Sequence, residues 1–270
     1  MDASAETIKI AVVGAAGRMG QEVLRSIGKA DGIEPVLALD HVHMGTNVRE
    51  FVGPKGPDLV IEDKLGAALD RVKVDILVDF SHHSGATQHA LSAIKRGVSP
   101  LIGTTGMTEL DLKEIRIQCQ ETGVPGMYAP NFAIGAILMM RFAQMAAKWL
   151  PEAEIIELHH DKKEDAPSGT AILTAERIAE ARTKVPIHKQ PHFKVEGVRG
   201  GLCHDVTIHS VRLPGLVAHQ VVMFGGVGET LTIKHDSLDR SSFMEGVKLC
   251  IRELRNLDGF TIGMDKILFA

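Results

Sequence analysis

Residues 157–171 carry the side chains best suited to chemistry in this chain of 270 residues. Their sequence is Glu-Leu-His-His-Asp-Lys-Lys-Glu-Asp-Ala-Pro-Ser-Gly-Thr-Ala, and they lie at the end of an apolar run that is typical of a strand. Imidazole and ammonium groups can donate protons near neutral pH, so His159, His160 and Lys163 are candidate proton donors. Successive residues of a strand point to opposite faces, so at most one of the two histidines faces a reacting atom directly.

The second half of this segment predicts a helix start that can bind an anion. Pro167 and Ser168 are typical of the residues that begin a helix, with Ser168 as the N-cap. Gly169 and Thr170 would then present backbone N–H groups at the positive end of the helix dipole, and Lys163 can fold over the same point. A carboxylate substrate fits this arrangement. The alternative is a basic surface loop followed by an ordinary helix.

A loop with three glycines near the start of the chain is the second chemical signal. Gly14, Gly17 and Gly20 follow a short apolar strand at 8–13 and open a helix. In dinucleotide-binding proteins such glycines allow a tight turn, a close approach of backbone to pyrophosphate, and close packing of the helix on the sheet. The spacing is Gly-x-x-Gly-x-x-Gly and not the more familiar Gly-x-Gly-x-x-Gly, so a purely structural turn is the alternative.

An acidic residue at the end of the second strand supports the dinucleotide hypothesis. Asp40 lies twenty residues after Gly20 and could accept hydrogen bonds from a ribose 2′-hydroxyl. The next residue is His41 and not an arginine, so a 2′-phosphate has no obvious permanent partner, although Arg18 or a protonated His41 could accept one. We therefore expect NADH to serve at least as well as NADPH.

Two further loops follow strand-like runs. Residues 103–106 follow the run 100–102, and residues 129–132 follow Tyr128. Ligands of open parallel sheets bind beyond the carboxyl ends of the strands, so both loops could line the cofactor cleft; ordinary turns are the alternative. His82 and His83 form an adjacent pair, for which a solvated loop is a better explanation than a metal site because no spaced ligands accompany it.

The order of strand-like and helix-like runs predicts an α/β fold class with two domains. Strands and helices, among them a helix expected over 85–96, alternate over the first half. This order implies right-handed crossovers and a doubly wound, Rossmann-type parallel sheet. After a helix at 133–149, period-two runs at 206–209, 220–224 and 229–234 indicate a mixed or antiparallel sheet. We predict a dinucleotide-binding domain over 1–130, with 241–270 packing back on it, and a substrate-binding and oligomerisation domain over 131–240.

Composition narrows the class of protein. The formal net charge is −4, whereas duplex binding needs a clustered basic excess, so no nucleic-acid partner is expected. Cys119, Cys203 and Cys250 are far apart and odd in number, which fits a reducing compartment. The polar start of the chain lacks the pattern of a signal peptide, and two basic residues interrupt the apolar segment 131–150, which we expect to be a buried helix. A cytoplasmic protein without membrane contact is expected.

The segment 157–171 closely resembles the signature of the 4-hydroxy-tetrahydrodipicolinate reductases, also called dihydrodipicolinate reductases, a family of the diaminopimelate and lysine pathway. The matching pattern is Glu157-Leu158-His159-His160-x-x-Lys163-x-Asp165-Ala166-Pro167-Ser168-Gly169-Thr170-Ala171. The glycine loop, the 103–106 loop and Asn131-Phe132 match the family in the same order. The similarity spans almost the whole chain, and the histidine–lysine signature is highly specific.

The resemblance implies a Rossmann-type cofactor domain and an α+β mixed-sheet domain that binds substrate and assembles into homotetramers. It implies NADH- or NADPH-dependent reduction of the cyclic imine dicarboxylate, formed from 4-hydroxy-tetrahydrodipicolinate by loss of water, to tetrahydrodipicolinate. The implied catalytic residues are His159 and Lys163, and no metal is implied. The implied cofactor-binding residues are Gly14, Ala15, Ala16, Gly17, Arg18, Met19, Asp40, Gly103, Thr104, Thr105, Ala129, Pro130, Asn131 and Phe132. The expected substrate-binding residues are His160, Lys163, Ser168, Gly169, Thr170 and Arg240.

The chain departs from the family pattern at two places. Ser81-His82-His83 replaces a more usual basic-proline turn, and His41 stands where an arginine is common in some members, which leaves cofactor preference open. Two other functions are alternatives. One is a related NAD(P)-dependent reductase acting on another small carboxylate, and the other is a redox-sensing dinucleotide binder in which the histidine–lysine loop is only surface.

Overall fold

The computed structural model describes residues 7–184 and 192–269 and divides into two compact units. The first unit comprises Met1–Phe132 with Phe243–Ala270, and the second comprises Ala133–Ser242. The C-terminal segment thus belongs to the first unit. Residues 1–6, on which the expectation about a signal peptide rests, lie outside the described residues.

The described residues form strands and helices in the following chain order. The strands are β1 (Ile8–Val13), β2 (Ile33–Leu39), β3 (Ile61–Glu62), β4 (Ile76–Asp79), β5 (Ser99–Ile102), β6 (Gly126–Tyr128), β7 (Glu152–His159), β8 (Gly201–Cys203), β9 (Val206–Arg212), β10 (Ala218–Gly226), β11 (Glu229–Ser237) and β12 (Phe260–Ile262). The α-helices are α1 (Arg18–Ile27), α2 (Arg49–Val52), α3 (Leu65–Arg71), α4 (His83–Ile94), α5 (Glu109–Thr122), α6 (Ile134–Ala147), α7 (Gly169–Ala181), α8 (Met244–Glu253) and α9 (Asp265–Leu268).

A parallel sheet in the order β12-β6-β5-β4-β1-β2-β3 forms the centre of the first unit. Chain order reverses beside β1, since β2 and β3 extend to one side while β4 begins the run to the other. In open α/β sheets, ligands bind beyond the carboxyl ends of the strands at such a reversal. The Gly14 turn after β1 and the Phe80-Ser81 turn after β4 flank it.

The core of this sheet is aliphatic, as the low aromatic content requires. Ile10 and Val12 on β1, and Ile76 and Leu77 on β4, have no exposed surface. Central strands covered on both faces are apolar at successive positions, which explains why these runs do not alternate. Each fully buried Ile or Leu contributes roughly 1.5–3 kcal/mol relative to an exposed one.

Two elements of the first unit differ from the expectation. Helix α4 begins at His83 and not near Gly85, because Nδ1 of His82 accepts the N–H of Ser84 at 3.4 Å and caps the helix. The two histidines are therefore a helix start and not a loop. Strand β12 was not expected, since its three residues pair only with β6, which is remote in the sequence.

The second unit is built on a mixed sheet in the order β11-β10-β7-β9-β8. Strand β7 pairs in parallel with β9 and antiparallel with β10. Thr174 on α7 accepts a hydrogen bond from Gln220, and Gly135 on α6 lies against His235, the cross-strand partner of Gln220. Both helices therefore cover the same face of the sheet. A doubly wound parallel sheet together with a mixed sheet confirms the predicted fold class.

Helix α6 is only partly buried, contrary to the expectation. Ala136 and Met139 face the interior, whereas Phe142 and Met145 are exposed. Among the described residues, no helix has the combination of length and apolar character that crossing a membrane would require.

Candidate functional site

The glycine loop after β1 is shaped by contacts that a side chain would break. Gly14 has a φ of 78°, and a Cβ built on it would lie 2.5 Å from the carbonyl oxygen of Phe80. A Cβ on Gly20 would lie 2.0 Å from the carbonyl oxygen of Gly14. Glycine at these positions lets α1 and the turn after β4 approach the loop closely.

Helix α1 begins without a side-chain cap. Gly17 is the N-cap, and its own N–H donates to the carbonyl of Gly14 at 3.0 Å. The N–H groups of Arg18 and Met19 have no acceptor among the described residues. Such N–H groups at the positive end of a helix dipole form an anion site, so the residues present fit a pyrophosphate.

Two adjoining cavities lie in the first unit. One, of about 480 Å³, is lined by the glycine loop, by residues after β2, and by the turn after β4 with part of α4. The other, of about 270 Å³, is lined by the loops after β5 and β6. Phe80 and Ser81 line both. This arrangement suits an extended ligand with two ring systems, such as a dinucleotide.

Most of the predicted cofactor residues line one of these cavities. The larger cavity has Gly14, Ala16, Gly17 and Asp40, and the smaller has Met19, Gly103, Thr104, Thr105, Pro130, Asn131 and Phe132. Ala15 and Ala129 do not, because they are buried and their N–H groups donate to sheet carbonyls. Arg18 is exposed and lies outside both linings. Phe243 and His89 line the cavities without having been predicted.

Asp40 is ordered by the glycine loop. Its Oδ2 accepts the N–H of Ala16 at 3.0 Å, and its Oδ1 accepts the N–H of Val42 at 3.2 Å. Nδ1 of His41 lies 3.3 Å from Oδ1, and the carboxyl side chain is only 6% exposed. These contacts thus hold the carboxylate in place at the edge of the larger cavity.

A buried carboxylate, absent from the predicted set, joins the loops of both cavities. Asp79, at the end of β4, accepts hydroxyl hydrogen bonds from Ser81 and Thr104, each at 2.6 Å. Nδ1 of His89 lies 2.8 Å from its other oxygen. Burial raises the pKa of the Asp79 carboxyl, but these hydrogen bonds outweigh burial and hold the pKa below its ordinary value. The signal available in the sequence was an acidic residue closing an otherwise apolar strand.

In the second unit, the imidazole of His159 is paired with a buried carboxylate on its own strand. Nδ1 of His159 lies 2.5 Å from Oε2 of Glu157, whose side chain has no exposed surface. Burial lowers the pKa of His159, Glu157 raises it, and Lys163 and Arg212 lower it, so that the pKa stays below its ordinary value. An imidazole held at Nδ1 can exchange protons with a ligand at Nε2.

Arg212 on β9 was also not predicted. Its guanidinium donates to Oε2 and Oε1 of Glu157 at 2.9 and 2.8 Å, and to the carbonyl of Asp165 at 2.7 Å. The register of β7 and β9 places Arg212 beside His159. No local spacing links the two residues, because the contact depends on strand pairing.

Lys163 forms an ion pair within its own loop. Nζ of Lys163 donates to both carboxylate oxygens of Asp165, at 2.6 and 2.8 Å. The hydrogen bond from Lys163 is the main cause that lowers the pKa of Asp165. The Asp165 side chain is mostly exposed, so this pair contributes at most about 1 kcal/mol and can open readily.

The predicted N-cap of α7 is confirmed. Oγ of Ser168 accepts the N–H of Ala171 at 3.2 Å, and the helix begins at Gly169. A Cβ on Gly169 would meet no atom within 4 Å, so the fold itself does not require glycine there. Open space therefore lies beside the start of this helix, and Thr170 occupies its first turn.

The structure does not bring all predicted substrate residues together. Nδ1 of His160 is buried and has no hydrogen-bond partner among the described residues. Arg240 is exposed at the start of the 3-10 turn Arg240–Phe243. Within the described part of the chain, it forms no hydrogen bond or ion pair with the histidine–lysine motif. Across 7–184 and 192–269, no group of three or more His, Cys, Asp or Glu side chains could hold a metal ion.

The chain is similar to known proteins over almost its whole length. The family models described as Dihydrodipicolinate reductase, N-terminus and C-terminus match residues 8–132 and 135–268. A 4-hydroxy-tetrahydrodipicolinate reductase of Halalkalibacterium halodurans is 47% identical over 262 residues, covering 97% of this chain and 99% of the relative. One from Bacillus pumilus is 44% identical over 264 residues, covering 97% and 98%. The solved structure of a dihydrodipicolinate reductase from Paenisporosarcina sp. TG-14 with dipicolinate bound is 39% identical, with a TM-score of 0.86, covering 97% of this chain and 100% of that one.

Proposed function

This chain belongs to the dihydrodipicolinate reductase family, and on that premise we propose that it reduces 4-hydroxy-tetrahydrodipicolinate to tetrahydrodipicolinate. The reaction acts on the cyclic imine dicarboxylate formed by loss of water and belongs to diaminopimelate and lysine biosynthesis. The observation that carries the proposal is the buried Glu157–His159 pair, followed in the chain by the N-capped start of α7. The first supplies a proton, and the second binds a carboxylate.

The start of α7 binds one carboxylate of the substrate. The N–H of Gly169, together with the first turn at Thr170 and the N-cap Ser168, offers an anion the positive end of the helix dipole. His160, whose Nδ1 lacks a partner among the described residues, and Arg240 serve the other carboxylate. The dipicolinate held by the Paenisporosarcina relative, a planar dicarboxylate, supports this substrate class.

His159 is the acid that completes reduction of the imine. Hydride addition to a conjugated imine builds negative charge at the far end of the π-system, and a positioned proton donor must neutralise it. A dianionic substrate near the imidazole favours its protonated form, so binding shifts the lowered pKa of His159 upward, towards working pH. Lys163 is the second proton donor, and it becomes available when the exposed pair with Asp165 opens.

The first unit binds the dinucleotide, which supplies the hydride when bound. The N–H groups of Arg18 and Met19 at the start of α1 hold the pyrophosphate, and Asp40 accepts from a ribose. The loops at 103–105 and 129–132 line the smaller cavity, which takes the second ring system. The support is the glycine cradle at Gly14, which a Cβ would fill.

We propose that NADH serves at least as well as NADPH. The carboxylate of Asp40 is ordered at the cavity edge and would repel a 2′-phosphate, whereas it accepts hydrogen bonds from a 2′-hydroxyl. His41 lies beside it and can offset that repulsion only when protonated.

We propose a cytoplasmic homotetramer assembled through the uncovered face of the mixed sheet. Both helices lie on the Gln220 face, while the other face carries half-buried Ile156 and Val221 and the 41% exposed Met223. An apolar sheet face that the unit leaves uncovered is suited to a second copy. We expect neither nucleic acid nor membrane as a partner, and a solution mass of about four times the 29.2 kDa chain checks the assembly.

The proposal is tested with freshly generated 4-hydroxy-tetrahydrodipicolinate, following the loss of NADH and NADPH absorbance in parallel. Oxidation of the cofactor that depends on substrate is the expected result, with competitive inhibition by pyridine-2,6-dicarboxylate. Binding of NADH without oxidation in the presence of this substrate would contradict the proposed function.

A further inference from the structure

We propose that Glu157, held by Arg212, is a positioning residue that fixes the tautomer and orientation of the His159 imidazole. The inference rests on the proposed function, because His159 has the acid role there. It adds two residues, Glu157 and Arg212, to the proton donors and substrate-binding residues proposed above. Neither of them touches the substrate in this proposal.

Strand geometry places the carboxylate and the imidazole together. Glu157 and His159 are two residues apart on β7, so their side chains lie on the same face of the sheet. Nδ1 of His159 lies 2.5 Å from Oε2 of Glu157. A carboxylate can only accept at neutral pH, so the proton of this hydrogen bond belongs to Nδ1, and Nε2 is left for proton exchange.

Arg212 fixes the carboxylate in turn. Strand pairing sets Arg212 beside His159 and Ser210 beside Glu157. Two guanidinium N–H groups donate to the two oxygens of Glu157 at 2.9 and 2.8 Å. A bidentate pair restrains both the position and the plane of the carboxylate, which a single ammonium contact would not do.

The same contacts keep Glu157 ionised although it is fully buried. Burial raises the pKa of this carboxyl, but hydrogen bonds from Arg212, Ser210 and His159 outweigh burial and lower the pKa. A carboxylate that stays charged stabilises an imidazolium at His159 during proton transfer. The charged groups acting on the imidazole are Glu157 on β7, Arg212 on β9 and Lys163 in the following loop.

Arg212 also connects the imidazole to the lysine loop. The guanidinium nitrogen that donates to Oε1 of Glu157 donates to the carbonyl of Asp165 at 2.7 Å. The side chain of Asp165 pairs with Lys163. One guanidinium thus restrains both the strand end that carries His159 and the loop that carries Lys163.

The chain contains a matched control on the opposite face of β7. Glu154 accepts from Nε2 of His209 at 2.8 Å and from Arg199, which repeats the carboxylate–imidazole–guanidinium set. The side chain of Glu154 is 37% exposed and belongs to neither the proposed cofactor site nor the proposed substrate site. It lies on the sheet face proposed for assembly, so the solution mass of its variant is compared with that of the wild type first. Its loss removes a similar network without touching His159.

The test compares Glu157→Gln with Glu154→Gln. We expect kcat to fall by about 10²- to 10⁴-fold in Glu157→Gln, with KM for the substrate changed by less than about threefold. Glu154→Gln should retain kcat within about twofold. Nitrogen-15 NMR of the imidazoles should find His159 protonated at Nδ1 in the wild type and protonated at Nε2, or mixed, in Glu157→Gln. Because the carboxylate raises the pKa of His159, its removal should move the corresponding limb of the kcat–pH profile to lower pH.

Glu157→Gln with near-normal kcat and an unchanged His159 tautomer would overturn the inference. If Glu157→Gln does not fold, Arg212→Lys decides on the same readouts, with an expected fall in kcat of about tenfold from the loss of bidentate geometry; normal turnover and tautomer there would equally overturn it. Failure of the proposed function gives a different result from failure of this inference. In that case the wild type oxidises no cofactor, while the NMR measurement of its tautomer still reports on Glu157.

Discussion

The hydroxyl of Thr104, in the loop after β5, donates to the carboxylate of Asp79, at the end of β4, over 2.6 Å. The same oxygen accepts from the hydroxyl and the N–H of Ser81 at 2.6 and 2.9 Å. Thr104 lines the smaller cavity and Ser81 lines both. A single buried acceptor therefore sets the relative position of two loops that form the proposed cofactor cleft.

Replacing this acceptor should weaken cofactor binding. Asp79→Asn keeps the shape but leaves one fewer acceptor for two hydroxyls and an imidazole, so the two loops lose their common restraint. We expect the Kd for NADH, measured by fluorescence titration, to rise about tenfold, which is about 1.4 kcal/mol. Asp111→Asn, which removes a capping carboxylate elsewhere in the same unit, is the control and should leave Kd unchanged. Equal affinities in the two variants would show that the cluster has no effect on the cleft.

The same carboxylate should contribute to acid sensitivity. The folded-state pKa of Asp79 lies below its ordinary value of 3.8, so below that value the unfolded chain binds the proton more readily. The contribution to stability is complete above the ordinary value and is lost as pH falls through the lowered one. Urea unfolding between pH 6 and pH 2 should give a smaller loss of stability for Asp79→Asn than for the wild type. An equal loss of unfolding free energy with falling pH in the two proteins would show that Asp79 makes no such contribution.

A methyl group at Gly20 should not be tolerated. The Cβ would lie 2.0 Å from the Gly14 carbonyl oxygen, and because that oxygen belongs to the backbone, no rotamer change relieves the contact. We expect Gly20→Ala to lose about 3 kcal/mol of unfolding free energy and to bind NADH weakly. Denaturant unfolding of Gly20→Ala is compared with that of Gly169→Ala, whose Cβ would meet no atom within 4 Å. The difference separates the steric effect from the effect of losing a glycine.

At Gly169, in contrast, an added methyl group should leave stability nearly unchanged and weaken substrate binding. Alanine fits the fold, so the melting temperature should stay within a few degrees of the wild type. The added methyl group enters the open space beside the helix start where the carboxylate is proposed to bind. We expect KM for the substrate to rise about tenfold and kcat to change less. An unchanged KM would move the anion site away from α7.

Removal of the His159 imidazole should lower turnover more than it weakens substrate binding. His159→Gln should lower kcat by about 10²- to 10⁴-fold, the usual contribution of a positioned acid, and raise KM much less. His209→Gln removes an imidazole paired with Glu154 on the other sheet face, and at a solution mass equal to that of the wild type it should retain normal turnover. Lys163→Ala should also cut turnover strongly. Near-normal kcat in both His159→Gln and Lys163→Ala would refute their roles.

Features that depend on neighbouring residues were predicted well from the sequence. Ser168 caps α7 because its side chain reaches an N–H three residues ahead, and Gly14 and Gly20 are required by a turn a few residues long. A predicted helix boundary was wrong where a side chain formed a capping hydrogen bond that helix propensity does not predict. The cap formed by His82 is such a case, since histidine is not a usual N-cap.

Amino-acid order alone determined the alternation of the Rossmann-type unit, the glycine turn, the N-capped helix and the pair of candidate proton donors, because each depends on spacing within one element. Only the tertiary structure decided the partners that orient them. Arg212 reaches Glu157 through the register of β7 with β9, and Thr104 reaches Asp79 across two parallel strands. Strand pairing brings together residues that are far apart in the chain, and no local sequence pattern predicts which of them will be in contact.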